Sequence, residues 1–310
     1  MEIPDPAKAD AVRVPALGKV VVVGVGLIGG SFALALKRAG AVATVVGVGR
    51  SLPNLDTARR LGIADRTWTR DQRWTDELVD ADLVLLATPV GQVAELFAAM
   101  APALGSTTVV TDAGSTKQDV IAAARLHLGA ALSRFVPGHP IAGNEHSGAG
   151  AASESLFRGK PVILTPLAET AADAQERVEN AWATCGGVVS ALDAARHDEI
   201  FAAVSHLPHV LAFALVAELA QRTDSDDYFR CTGGGFRDFT RLAGSDPEMW
   251  RDICLGNATA LRQELSAYRA QLDRLDALLV ATDGVGLLTL FERARGARNA
   301  WLARHRDDRD

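Results

Sequence analysis

A chain of 310 residues, 48% hydrophobic and 23% charged, has room for two ordinary domains and too much apolar content for intrinsic disorder. Its net charge of −6, with acids and bases mixed along the chain, makes nucleic acid a poor partner, because phosphate binding needs clustered cations. Three scattered cysteines form no disulfide framework, Met1–Pro6 opens no signal-peptide core, and glycine breaks apolar runs such as 20–23; a cytoplasmic protein with no membrane partner is expected.

In chain order, β-like runs at 20–23, 44–48, 83–87, 109–112, 134–137 and 161–165 alternate with helical stretches at 31–39, 54–61, 93–100 and 117–128. The runs are continuously apolar, as strands become when helices cover both faces of a parallel sheet. A doubly wound, Rossmann-type α/β domain over 18–168 is predicted, behind an N-terminal tail at 1–17. After one more short run at 188–190, residues 169–303 read as an all-helical domain, and 304–310 as a polar tail. Asp246-Pro247 is a helix start, with Asp as N-cap and Pro in the first turn. In the helix that follows, Ala258, Leu261, Leu265, Tyr268, Leu272, Leu275 and Leu279 recur at steps of three and four over about three heptads. So narrow a stripe suits pairing with another subunit, and a homodimer through the helical domain is expected; packing within its own domain is the alternative.

The first strand runs into Gly24-Val25-Gly26-Leu27-Ile28-Gly29, and a helix follows. Gly24 allows the tight turn, Gly26 lets a pyrophosphate approach the backbone, and Gly29 lets the helix pack close to the strand. The phosphates then meet free N–H groups at a helix N-terminus, those of Leu27 and Ile28 among them. A plain strand-to-helix turn without a ligand is the competing reading. About 20 residues on, where an NAD enzyme usually places a carboxylate for the ribose hydroxyls, stand Gly49-Arg50-Ser51. Arg50 can pair with a 2′-phosphate and Ser51 can donate to it, so NADP is expected over NAD. Alternatively, Arg50 is a solvated turn residue stacked on adenine.

The stretch Val136–Glu145 sets His139 just past a strand, on the edge where doubly wound sheets bind ligands. A histidine there can serve as general base for hydride removal from an alcohol carbon. Six motifs in order, Gly24–Ser31, Ala87-Thr88-Pro89-Val90, Asp112-Ala113-Gly114-Ser115-Thr116-Lys117, Gly138-His139-Pro140, Ser205–His209 and Gly233–Arg241, make the chain resemble the prephenate and arogenate dehydrogenases of tyrosine biosynthesis. The resemblance runs from about residue 18 to about residue 290. It implies oxidative decarboxylation of a cyclohexadienol: prephenate to 4-hydroxyphenylpyruvate, or arogenate to tyrosine. Aromatisation drives loss of the carboxylate, so positioning and charge placement suffice and no metal is expected.

Carried over by resemblance, His139 accepts a hydrogen bond from the substrate 4-hydroxyl, and Ser115 bridges that hydroxyl and the nicotinamide. Thr88 and Pro89 line the cofactor. Arg241 binds a substrate carboxylate, a task suited to a bidentate guanidinium, whereas the motif-free reading is a surface ion pair. His206 and His209 share a helix face around Pro208, which removes a backbone donor. Zinc ligation by two histidines alone has little support; the resemblance makes them a wall of the substrate pocket, with His209 nearer the side-chain carboxylate and His206 more structural. Trp250 closes that pocket or is a core aromatic. A carboxylate at Glu145, facing the substrate side chain, would favour the amino group of arogenate, with His146 softening the effect. Use of both substrates is therefore expected. With so short a C-terminal remainder, no regulatory domain of about 70 residues is expected. Two rivals remain: another two-domain dehydrogenase acting on a β-hydroxy acid or an imine, and a non-catalytic NADP-sensing protein. The first usually brings a catalytic lysine from its helical domain, and no Lys follows Lys160 here.

Overall fold

A computed structural model describes residues 17–143 and 146–304. The chain divides into two compact units, Met1–His197 and Asp198–Asp310.

The first unit is built on six parallel strands: β1 (Leu17–Val23), β2 (Val42–Gly49), β3 (Arg66–Thr69), β4 (Leu83–Leu86), β5 (Val109–Asp112) and β6 (Phe135–Val136). Their order is β3-β2-β1-β4-β5-β6, every pair parallel. That is the doubly wound arrangement expected, with its switch point between β1 and β4. Val20 to Val23 and Leu83 to Leu86 are buried on both faces, which is why these strands read as unbroken apolar runs. Helices α1 (Leu27–Arg38), α2 (Leu52–Arg60), α3 (Val93–Met100) and α4 (Gln118–His127) supply the crossovers.

A second sheet departs from expectation. The run at 161–165 does not extend the parallel sheet; β8 (Pro161–Leu164) lies between β7 (Gly138–Pro140), antiparallel to it, and β9 (Val188–Ala191), parallel to it. Between β8 and β9, helix α5 (Ala172–Thr184) packs Trp182 edge-on against Phe32 of α1, ring centroids 4.6 Å apart. This packing keeps residues 169–191 in the first unit, so the division by contacts falls at His197, inside α6 (Ala194–Phe201), and not at 168/169.

The second unit is helical. A π turn (Ala202–His206) precedes α7 (Leu207–Ala220), and α8 (Ser225–Arg230), α9 (Gly234–Thr240), α10 (Pro247–Gly256), α11 (Ala258–Val280) and α12 (Gly284–Arg304) follow. Asp246 caps α10 as expected, its carboxylate accepting from the Met249 N–H at 2.8 Å. On α11 only the first turns of the apolar stripe are covered: Leu261 is buried, while Leu272 and Leu279 are 48% and 55% exposed. The stretch Ala194–Ala220 is long and apolar enough to cross a membrane by length and composition alone; buried helices of soluble proteins meet the same criterion.

Candidate functional site

The β1–α1 turn has the local geometry of a dinucleotide loop. Gly24 has φ +98°, and a Cβ there would lie 2.4 Å from the Ala87 carbonyl oxygen. At Gly29 a Cβ would lie 2.2 Å from the Gly24 carbonyl oxygen and 2.8 Å from Val22. Both glycines are required by close backbone packing. Gly26 differs: a Cβ there would meet nothing within 4 Å. The middle glycine thus borders open space where a phosphate group can reach the backbone. Leu27 and Ile28 begin α1 without any side-chain cap and without an acid in the first turn, so this helix end favours an anion.

Thr88 and Pro89 follow β4 across the switch point. Thr88 Oγ1 is buried with no hydrogen-bond partner among the described residues, an arrangement that fits a ligand group in the cleft. At the end of β2, Arg50 is exposed and makes no ion pair among the described residues. Ser51 is the N-cap of α2, its hydroxyl accepting from the Asn54 N–H at 3.4 Å, and it keeps its own hydrogen to donate. Glycine turn, open approach and lone cation together fit a nicotinamide dinucleotide.

Ser115 sits in the loop between β5 and α4, and His139 in β7, paired across to Ile163. His139 therefore does not simply terminate a strand of the main sheet, as its position after the run at 134–137 suggested. Its own short strand holds the backbone on both sides. Beneath the two residues lies a buried ion pair. Lys117, fully buried, contacts Asp112 Oδ2 and donates to the Gly138 carbonyl at 2.7 Å. Asp112 accepts from the Gly114 N–H at 2.8 Å and from the Gly138 N–H at 3.1 Å.

Sequence reasoning missed His197. It lies fully buried on α6, and its Nε2 shares a 2.9 Å hydrogen bond with Nδ1 of His139. Nothing in the spacing of these two residues marks them as partners; only the fold brings them together. Asn54 was missed as well. Its side-chain amide donates to the Val25 carbonyl in the glycine loop at 2.7 Å and accepts from the Ala149 N–H at 2.7 Å. Ser31 likewise accepts from the Ser153 N–H at 2.9 Å, so two side chains fasten the segment beyond His139 to the cofactor loop. Glu145, within that segment, lies outside the described residues.

The second unit holds four of the expected residues: His206, His209, Arg241 and Trp250. His209 stacks on Trp250, with centroids 3.6 Å apart and planes 19° apart, and its Nδ1 lies 2.9 Å from the Ser205 carbonyl. Pro208 has no backbone N–H to donate within the helix, and the π turn Ala202–His206 lies directly before it. Burial lowers the His209 pKa from its ordinary value; the Ser205 bond opposes this and the nearby Arg241 charge adds to it. With its one N–H given to the Ser205 carbonyl, the neutral imidazole leaves Nε2 as an acceptor, so the Arg241 guanidinium alone brings charge and donors for an anionic group. Trp250 is buried, so it serves here as the platform beneath His209. His206 is fully buried, 3.2 Å from Asn257 Nδ2, which also donates to the Asp198 carbonyl at 2.7 Å. Among the described residues no third metal-ligand type joins the two histidines.

Two family models match the chain: prephenate dehydrogenase, nucleotide-binding domain, over residues 32–191, and prephenate dehydrogenase, dimerization domain, over 193–293. The cyclohexadienyl dehydrogenase of Zymomonas mobilis is 38% identical over 288 residues, covering 92% of this chain and 97% of that protein. The prephenate dehydrogenase of Aquifex aeolicus, solved with hydroxyphenyl propionate and NAD+, superposes with a TM-score of 0.86 at 37% identity, covering 92% and 98% of the two chains. The arogenate dehydrogenase of Synechocystis gives 0.74 at 30% identity, over 91% and 99%.

Proposed function

The chain belongs to the prephenate dehydrogenase family, NAD(P)-dependent oxidoreductases of tyrosine biosynthesis, and on that premise we propose that it uses both prephenate and arogenate and prefers NADP to NAD. Either substrate is a cyclohexadienol, oxidised at the ring carbon that bears the hydroxyl. Loss of the ring carboxylate as carbon dioxide then leaves a phenol. The cofactor, when bound, supplies the hydride acceptor.

The observation that carries the assignment of roles is the His139–His197 hydrogen bond. A neutral His139 that donates its Nδ1–H to His197 presents Nε2 as the acceptor for the substrate hydroxyl proton. Ser115 orients that hydroxyl. Arg241 takes a substrate carboxylate, with His209, held on Trp250, beside it. The test is turnover itself: protein, NADP and prephenate or arogenate should yield reduced cofactor, and silence with both substrates overturns the reading.

Support for NADP lies in Arg50 and Ser51 at the end of β2, where no carboxylate stands to repel a 2′-phosphate. Arg50→Ala should cut kcat/KM for NADP by about tenfold or more and change NAD use little, since a phosphate–guanidinium bond is charge-assisted. A parent enzyme that prefers NAD contradicts this. For Glu145 the support is its place six residues after His139. Glu145→Gln should shift the ratio of arogenate to prephenate turnover toward prephenate. An unchanged ratio removes it from substrate choice.

A homodimer through the helical unit is the assembly we infer. The match to a dimerization domain and the uncovered apolar side chains of α11 and α12 support it.

A further inference from the structure

We propose that the buried Asp112–Lys117 ion pair is the positioning device that holds Ser115 and His139 in mutual register. The inference rests on the roles given above to those two residues. Asp112 ends β5 and Lys117 immediately precedes α4, and both side chains are removed from solvent, at 1% and 0% exposure. Burying two charges costs as much as their attraction returns, so stability alone does not explain the pair; apolar residues of equal volume would hold a core as well.

What apolar residues could not supply is the set of backbone bonds. Gly114, directly before Ser115, donates its N–H to Asp112 Oδ2. Gly138, directly before His139, is held at both polar groups: its N–H donates to Asp112 Oδ1, and its carbonyl accepts from Lys117. One carboxylate therefore fastens the residue preceding each of the two side chains that act on the substrate hydroxyl. The contact is too close for a side chain. A Cβ on Gly138 would lie 3.0 Å from the Asp112 carbonyl oxygen, and one on Gly114 would lie 2.8 Å from Asp112 Oδ2. Small displacements of such supports are expected to reduce catalysis more than binding.

Asp112→Asn tests the device, because an amide cannot accept at both oxygen positions. We expect kcat to fall by about tenfold or more while the Kd for NADP changes less than about threefold. Ser115→Ala should also cost much less in the Asp112→Asn background than in the parent, since its loop is already slack there. A purely structural pair would instead lower Tm, leave kcat per folded site unchanged, and give effects of Asp112→Asn and Ser115→Ala that multiply independently; that result overturns the proposal. Should Asp112→Asn fail to fold, Gly114→Ala keeps both charges but sets a Cβ 2.8 Å from Asp112 Oδ2 and 2.7 Å from Val90 Cγ1, so the loop and the carboxylate must move apart. The same fall in kcat and the same non-additivity are expected, and an unaltered kcat overturns the proposal. Ser115→Ala and His139→Asn alone separate the two levels. If neither lowers kcat, the reading of those residues fails; if both do while Asp112→Asn and Gly114→Ala do not, only the positioning role fails.

Discussion

His139 has its Nδ1 on His197 and its backbone held through Gly138, so its freedom to rotate is small and its basic nitrogen is directed by bonds made elsewhere. The chemistry needs a base in one place for one proton, and mutation at this residue should appear in the rate constant. His139→Asn is expected to lower kcat by about 10² or more with KM nearly unchanged. Arg241→Gln, at the residue proposed to bind a carboxylate remote from the transferred hydride, should chiefly raise KM. Steady-state kinetics of the two variants distinguishes these roles; equal small effects would show that both have been misplaced. These side chains were legible as motif members, but their partners were not. His197, Asn54 and the Asp112–Lys117 pair owe their roles to contacts across 58, 29 and 21 positions of sequence, and local pattern carries no record of such contacts.

At the scale of elements, the parallel strands were readable because their residues are buried on both faces and hence continuously apolar. β3, with the sequence Arg66-Thr67-Trp68-Thr69, escaped notice because it lies at the sheet edge and mixes polar with apolar residues. β7 is Gly-His-Pro, a composition that signals a turn; only pairing with β8 makes it a strand. The same pairing moves β8 out of the sheet in which its apolar run had placed it. α11 was readable from its heptad stripe, and the stripe makes a prediction of its own. Leu272 and Leu279 on α11, with Leu288 and Phe291 on α12, stand about half exposed in the single chain. Leu272→Glu should convert a dimer to monomer or weaken it markedly, because burying a carboxylate in an apolar contact is costly. Light scattering across a dilution series checks it, and a parent chain that is monomeric at every concentration would contradict the assembly.

Over the whole molecule, the glycine loop identifies a dinucleotide site and leaves the reaction open, since many dehydrogenases share it. On the roles proposed here, reaction identity rests on residues outside that loop in the sequence, His139 on the second sheet and Arg241 in the helical unit. The fold class and the family were visible in ordered motifs spread over the chain, and relatives over nine-tenths of its length bear them out. The most direct measurement incubates the full chain with NADP and either prephenate or arogenate, following reduced-cofactor absorbance and carbon dioxide release together. Equal formation of reduced cofactor and carbon dioxide, lost in His139→Asn, is the expected result. Cofactor binding without turnover of either substrate would contradict it.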